Sequence, residues 1–141
     1  MLNQHKALVR RFFDEAYNGR NRGFFQEVYA EGANPDAAAH GGLPGVAGAE
    51  RYLETFLTAF PDLRVEILDL VAEFDVVCCR YIGRGTHTGP LLHLPPTGRA
   101  AEMEGLAYFR FDQGRIVESV NRYDAVGLAR QLGLLPAPEL R

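Results

Sequence analysis

Near the C-terminus Ser119, Asn121 and Tyr123 stand two residues apart, and Asp124 follows directly. In an extended chain that spacing puts side chains on one face, so the three would offer a hydroxyl, an amide and a phenol to one volume. Such neutral groups hydrogen-bond the oxygens of a small molecule. The amide of Asn121 donates to a carbonyl or enolate oxygen but takes no proton at pH 7. The candidates for acid/base work are therefore Asp124 and His40. Asp124 lies three residues past Asn121, on the other face of a regular strand, and directly before a terminal apolar-periodic segment. An aspartate there most often caps a helix by accepting backbone N–H groups, and a pocket role would need a bulge or a strand that has already ended. His40, in a Gly-rich stretch, reads as a loop hydrogen-bonder, a base or a metal ligand.

No other pattern suggests further chemistry. His87 and His93 lack the i, i+4 helical spacing of a zinc pair. Adjacent Cys78 and Cys79 point to opposite faces of a strand and read as reduced packing residues. Gly41, Gly42, Gly45 and Gly48 follow no strand-to-helix pattern of a phosphate loop, and no serine sits in a nucleophile elbow. The expected chemistry uses no metal and no cofactor.

The elements that must position these groups are legible from periodicity. Leu8, Val9, Phe12, Phe13, Ala16 and Tyr17 recur at helical spacing, opposite Arg10, Arg11, Asp14 and Glu15, and Asn18-Gly19 stops the helix. A shorter helix carries Phe24, Phe25, Val28 and Tyr29; a third carries Tyr52, Leu53, Phe56, Leu57 and Phe60 and ends at Pro61. The period then falls to two in residues 64–71, 76–84, 101–111 and 115–123, which predicts four strands in an antiparallel meander. Asp112-Gln113-Gly114 makes a hairpin turn, residues 86–99 form a long loop, and a last helix spans 125–132. Helices first and strands afterwards predict an α+β fold, one curved sheet folded over the helices.

Strand parity separates the two faces of that sheet. Arg80, Arg84, Glu102, Glu104, Glu118 and Arg122 share one, which reads as a solvated surface of ion pairs, a dimer interface or a buried acid/base cluster. Met103, Ala107, Phe109, Val117, Ser119, Asn121 and Tyr123 share the other, which must meet the helices. Tyr17 and Phe56, together with Asn34 and His40, approach it from the helical half. An apolar concavity with a few neutral polar groups suits a hydrophobic small molecule carrying oxygens.

The chain has 141 residues, 47% of them hydrophobic, enough for one domain without disulfide or metal staples. Fifteen Lys and Arg against 18 Asp and Glu give a net charge of −3, with no basic block, which argues against a nucleic-acid partner. No apolar run reaches the length of a membrane span and the N-terminus lacks a signal segment, so the expected location is cytoplasmic, with no membrane partner.

The sequence resembles the SnoaL-like polyketide cyclases of the nuclear transport factor 2-like superfamily over about Leu8 to Leu134. The markers are Ala16-Tyr17-Asn18-Gly19-Arg20, Asn34-Pro35, His40-Gly41 and Phe60-Pro61-Asp62-Leu63, then Gly85-Thr86-His87-Thr88-Gly89, Leu94-Pro95-Pro96-Thr97-Gly98-Arg99, Gly114-Arg115-Ile116-Val117-Glu118 and Gln131-Leu132-Gly133. The resemblance implies a cone-shaped α+β barrel with a deep hydrophobic pocket, a homodimer or higher homo-oligomer, and a cofactor-free intramolecular aldol ring closure. It also places the acid/base aspartate at Asn121 and its assisting histidine at Ala107, where this chain has neither group. Two further readings stand beside a cyclase: a non-catalytic binding or dimerisation module, and a cofactor-free hydroxylase on the same fold.

Overall fold

A computed structural model describes residues 2–35 and 45–136, with the backbone alone at 34 and 35. The first amphipathic segment begins as α1 (Leu2–Arg11) and widens without a break into a π-helical stretch, Phe12–Asn18. Phe12, Phe13, Ala16 and Tyr17, all in this stretch, are buried. Its end is locked to the sheet. The Asn18 amide pairs with the backbone of Val65 through bonds of 2.9 and 2.7 Å, as a neighbouring strand would. Gly19 is required because a Cβ there would stand 2.8 Å from the Glu15 carbonyl oxygen. Arg20 then bonds the carbonyls of Tyr17 and Pro61.

Next come α2 (Phe24–Val28), β1 (Tyr29–Pro35) and α3 (Gly45–Ala59). Gly45 and Gly48 belong to α3. The strands β2 (Arg64–Glu73), β3 (Val76–Thr86), β4 (Ala100–Asp112) and β5 (Arg115–Tyr123) follow, then α4 (Ala125–Gln131). Gln113 and Gly114 both have positive φ, 50° and 80°, the backbone of a tight turn whose twist matches its flanking strands.

The sheet order is β1-β5-β4-β3-β2, and β1 runs parallel to β5. A purely antiparallel meander of four strands was therefore too small an expectation. The missed strand, Tyr-Ala-Glu-Gly-Ala-Asn-Pro, carries no apolar alternation and takes its place through pairing with β5. The curved sheet does not close, since β1 and β2 are its edges. Helices complete the concavity, with α1 and the π-helical stretch against β2, and α3 against β1.

Parity holds along β3 and β4, and fails at one point in β5. Arg110 pairs with Glu118 but Phe111 with Ile116, so Val117 is the extra residue of a bulge. Ile116 is consequently fully buried, and the expectation that Val117 shares the inner face with Ser119 is corrected.

Candidate functional site

Register brings the inward residues of three strands into rows. Ala107 lies between Cys79 and Asn121, Gly105 between Tyr81 and Tyr123, and Phe109 between Val77 and Ser119. Small residues in the middle of the first two rows leave room above β4, and two adjoining cavities occupy it. One, about 40 Å³, reaches from Phe12, Tyr29 and Ala49 down to Ala107, Phe109 and Ser119. The other, about 30 Å³, runs over Phe56, Leu63, Tyr81 and Met103. Phe13, Tyr17, Tyr52 and Asn121 line both and form the partition between them. These volumes are on the scale of a few water molecules, so any ring-sized ligand must part the walls as it binds.

The polar groups on these walls are paired in a definite pattern. The Tyr81 hydroxyl donates to Asn121 Oδ1 at 2.6 Å, and Asn121 Nδ2 donates to the Tyr52 hydroxyl at 3.3 Å. Nearer β1, the Tyr29 and Ser119 hydroxyls share a bond of 2.8 Å. Burial raises the phenols of Tyr17, Tyr52, Tyr81 and Tyr123 above their ordinary range, and pushes Tyr29 up to about 12 against the opposing pull of Ser119. All five are neutral at physiological pH, donors rather than bases. Among the described residues, neither cavity wall carries a carboxylate, an imidazole or a cation. Nor do the described residues contain a group of three His, Cys, Asp or Glu side chains able to hold a metal ion.

Eight of the residues singled out from the sequence meet at these cavities: Tyr17, Phe56, Met103, Ala107, Phe109, Ser119, Asn121 and Tyr123. Asp124 does not. It is the N-cap of α4, accepting the Gly127 N–H at 2.8 Å, and it lines neither cavity. His40 and the side chain of Asn34 lie outside the described residues. Tyr29, Tyr52 and Tyr81 were missed as site residues, although two of them left a signal: Tyr52 is four residues before Phe56 on one helix face, and Tyr81 shares parity with Cys79. Tyr29 opens the strand that the sequence hid.

His87 is buried away from this site. Its Nδ1 accepts the Thr97 N–H at 3.2 Å, and its ring lies 5.4 Å from Phe60, fastening the long β3–β4 loop to the end of α3. The outer face of the sheet is a ladder of exposed ion pairs. Arg80 reaches Asp69 and Glu104 at 2.9 and 2.8 Å, and Arg84 reaches Glu66 and Glu102 at 2.9 and 3.1 Å. Cys78 is exposed on that face, whereas Cys79 is buried on the other and its thiol is pushed up to about 12 by burial. Among the described residues no helix is long and apolar enough to cross a membrane.

Comparison with known proteins agrees with this architecture. IdmH from Streptomyces antibioticus, a candidate polyketide cyclase, is 28% identical, with 90% of this chain and 96% of that one covered at a TM-score of 0.77. TsrD from Streptomyces laurentii is 25% identical over 94% of this chain and 97% of that one, with a TM-score of 0.84. AclR from Streptomyces galilaeus, a candidate hydroxylase, shares the fold at 24% identity, 97% and 89% coverage and a TM-score of 0.84. No curated protein matches the sequence. The SnoaL-like polyketide cyclase model matches residues 7–132, a span that takes in every element lining the two cavities. The chain therefore belongs to the SnoaL-like polyketide cyclase family.

Proposed function

We propose that the protein binds a hydrophobic, oxygenated small molecule between the helices and the sheet, and that it promotes a cofactor-free intramolecular aldol closure of that molecule. The observation that carries this reading is the Tyr81–Asn121–Tyr52 chain, a set of neutral hydrogen-bonding groups inside otherwise apolar walls. In the reaction a proton leaves a carbon next to one carbonyl, the resulting enolate carbon bonds to a second carbonyl carbon, and the alkoxide so formed takes up a proton. The net change is an isomerisation that needs no oxidant. Asn121 and Tyr17 serve as donors to the enolate oxygen, where fixed donors in a dry site act most strongly. The apolar walls fold the substrate onto itself. With Asp124 committed to its helix, the proton acceptor is His40 or a basic group of the substrate itself.

Turnover of a linear poly-β-keto ester by the purified protein, followed by mass and retention time of the cyclised product, tests this. Asn121→Leu should lower the rate about 100-fold, the effect of losing one oxyanion donor. A loss of less than threefold would remove the assigned site. Should the wild type bind the ester tightly without turnover, and Asn121→Asp do the same, the donor-only walls belong to a binding module; oxygen consumption with a reduced polyketide would favour a hydroxylase.

The reading includes a cytoplasmic location, supported by two unpaired cysteines, and self-association through the outer sheet face. There Leu106 is 62% exposed beside paired arginines and glutamates.

A further inference from the structure

We propose that Tyr81 is the positioning residue of this cavity, bonding the Asn121 carbonyl oxygen so that the amide turns its N–H groups toward the ligand. The inference rests on the ligand-binding reading above and adds the kind of group that Asn121 recognises: it donates an N–H to a carbonyl or enolate oxygen of the ligand rather than accepting a hydroxyl proton from it.

The two distances at Asn121 fix the orientation of its amide. A separation of 2.6 Å to Tyr81 suits O–H···O and is short for N–H···O, whereas 3.3 Å to Tyr52 suits the longer nitrogen bond. The reverse orientation would set an N–H at the short distance and two oxygens at the long one. Burial, by keeping the Tyr81 phenol protonated, makes it a donor throughout the physiological range. Of the two Nδ2 hydrogens, one goes to Tyr52 and the second remains for the cavity.

Tyr81 reaches Asn121 only because residue 105 is glycine. A Cβ there would stand 2.5 Å from the Tyr81 hydroxyl oxygen and 2.7 Å from the Arg122 carbonyl oxygen. The phenol lies in the space that any other side chain at this position would fill. In the register Gly105 sits directly between Tyr81 and Tyr123, so the vacancy on β4 and the phenol from β3 are matched within one row.

Acetophenone and ethylbenzene, nearly equal in shape and differing in one acceptor oxygen, serve as probes, with Tyr81→Phe as the variant that keeps the ring. The wild type should bind acetophenone about tenfold tighter than ethylbenzene, the factor expected for one well-made hydrogen bond in a dry site, and the carbonyl stretch of the bound ketone should move to lower frequency. Tyr81→Phe should cut the preference below threefold and return the stretch toward its value in an apolar solvent. The side-chain amide resonances of Asn121, followed by nitrogen-15 NMR without any ligand, should shift in the variant as the amide loses its fixed orientation. Retention of both the preference and the resonance positions in Tyr81→Phe would overturn the proposal. If neither probe binds the wild type, the ligand-binding reading fails, and the amide resonances alone then decide whether Tyr81 holds Asn121.

Discussion

The two faces of the sheet use their polar side chains in opposite ways. On the outer face, arginines and glutamates pair at 2.8–3.1 Å with about half of each side chain in water. On the inner face the polar groups are uncharged, belong mostly to tyrosines, and bond within a few ångströms of apolar rings. The outer pairs exchange one good hydration for another and are screened by salt. The inner groups are largely withdrawn from water, so a lost partner costs much of the desolvation of the one left behind. The same alternation of side chains therefore builds a forgiving surface and an exacting one, and three perturbations separate them.

Alkaline pH should produce the largest effect, and only through the inner face. An unfolded tyrosine ionises near 10, whereas burial holds Tyr17, Tyr52, Tyr81 and Tyr123 protonated to higher pH and Tyr29 to about 12. Above pH 10 the unfolded chain thus binds fewer protons than the folded one, and stability falls as pH rises. Below about pH 9 these groups contribute no slope. Tyr29 alone accounts for roughly 2 kcal/mol of the loss by pH 12, and the other phenols add to it. Urea midpoints measured between pH 8 and 11.5 check this; a flat profile above pH 10 would mean that the inner phenols are open to solvent.

Second in size is removal of the group that joins two of those phenols. Asn121→Leu keeps the volume but strands the buried hydroxyl of Tyr81, at a cost of about 1–3 kcal/mol. Tyr81→Phe with Asn121→Leu should recover part of that loss, because both members of the pair are then apolar. Denaturant melts of the two single variants and the double one give the coupling. Strict additivity would show that the 2.6 Å bond contributes nothing of its own.

Much of this contrast was legible in the sequence, and its gaps have physical causes. Period-two alternation assigned Glu102 and Glu104 to water and Met103, Ala107 and Phe109 to the interior, because burial on one side forces that pattern. Asp124 read as a helix cap from its place before an apolar-periodic segment, and the Gly127 N–H occupies its carboxylate. Residues 29–35 escaped because a parallel edge strand completed by a distant partner needs no alternation of its own. Val117 was misplaced by the bulge at Arg110 and Phe111, since one inserted residue reverses parity without altering composition. The Tyr81–Asn121 bond depends on an absence, the missing side chain at Gly105, and absences on one strand declare nothing until its neighbours are in register.

Arg84→Ala should give the smallest effect. Its guanidinium spans Glu66 on β2 and Glu102 on β4, and the bonds to both carboxylates raise its affinity for its proton further, yet the side chain is half in water. Loss of such a pair exchanges protein partners for solvent, and the two freed carboxylates remain hydrated. The melting midpoint should move far less than for Asn121→Leu, and the small difference from wild type should vanish in 1 M salt, where the screening length falls to about 3 Å. Self-association sharpens the test. If the outer face packs against its own copy, Arg84→Ala should change the monomer's midpoint only by that small amount but weaken the dimer seen by sedimentation, making a surface arginine matter most when a second sheet removes its water. A midpoint loss as large as that of Asn121→Leu in dilute monomer would erase the distinction between the faces.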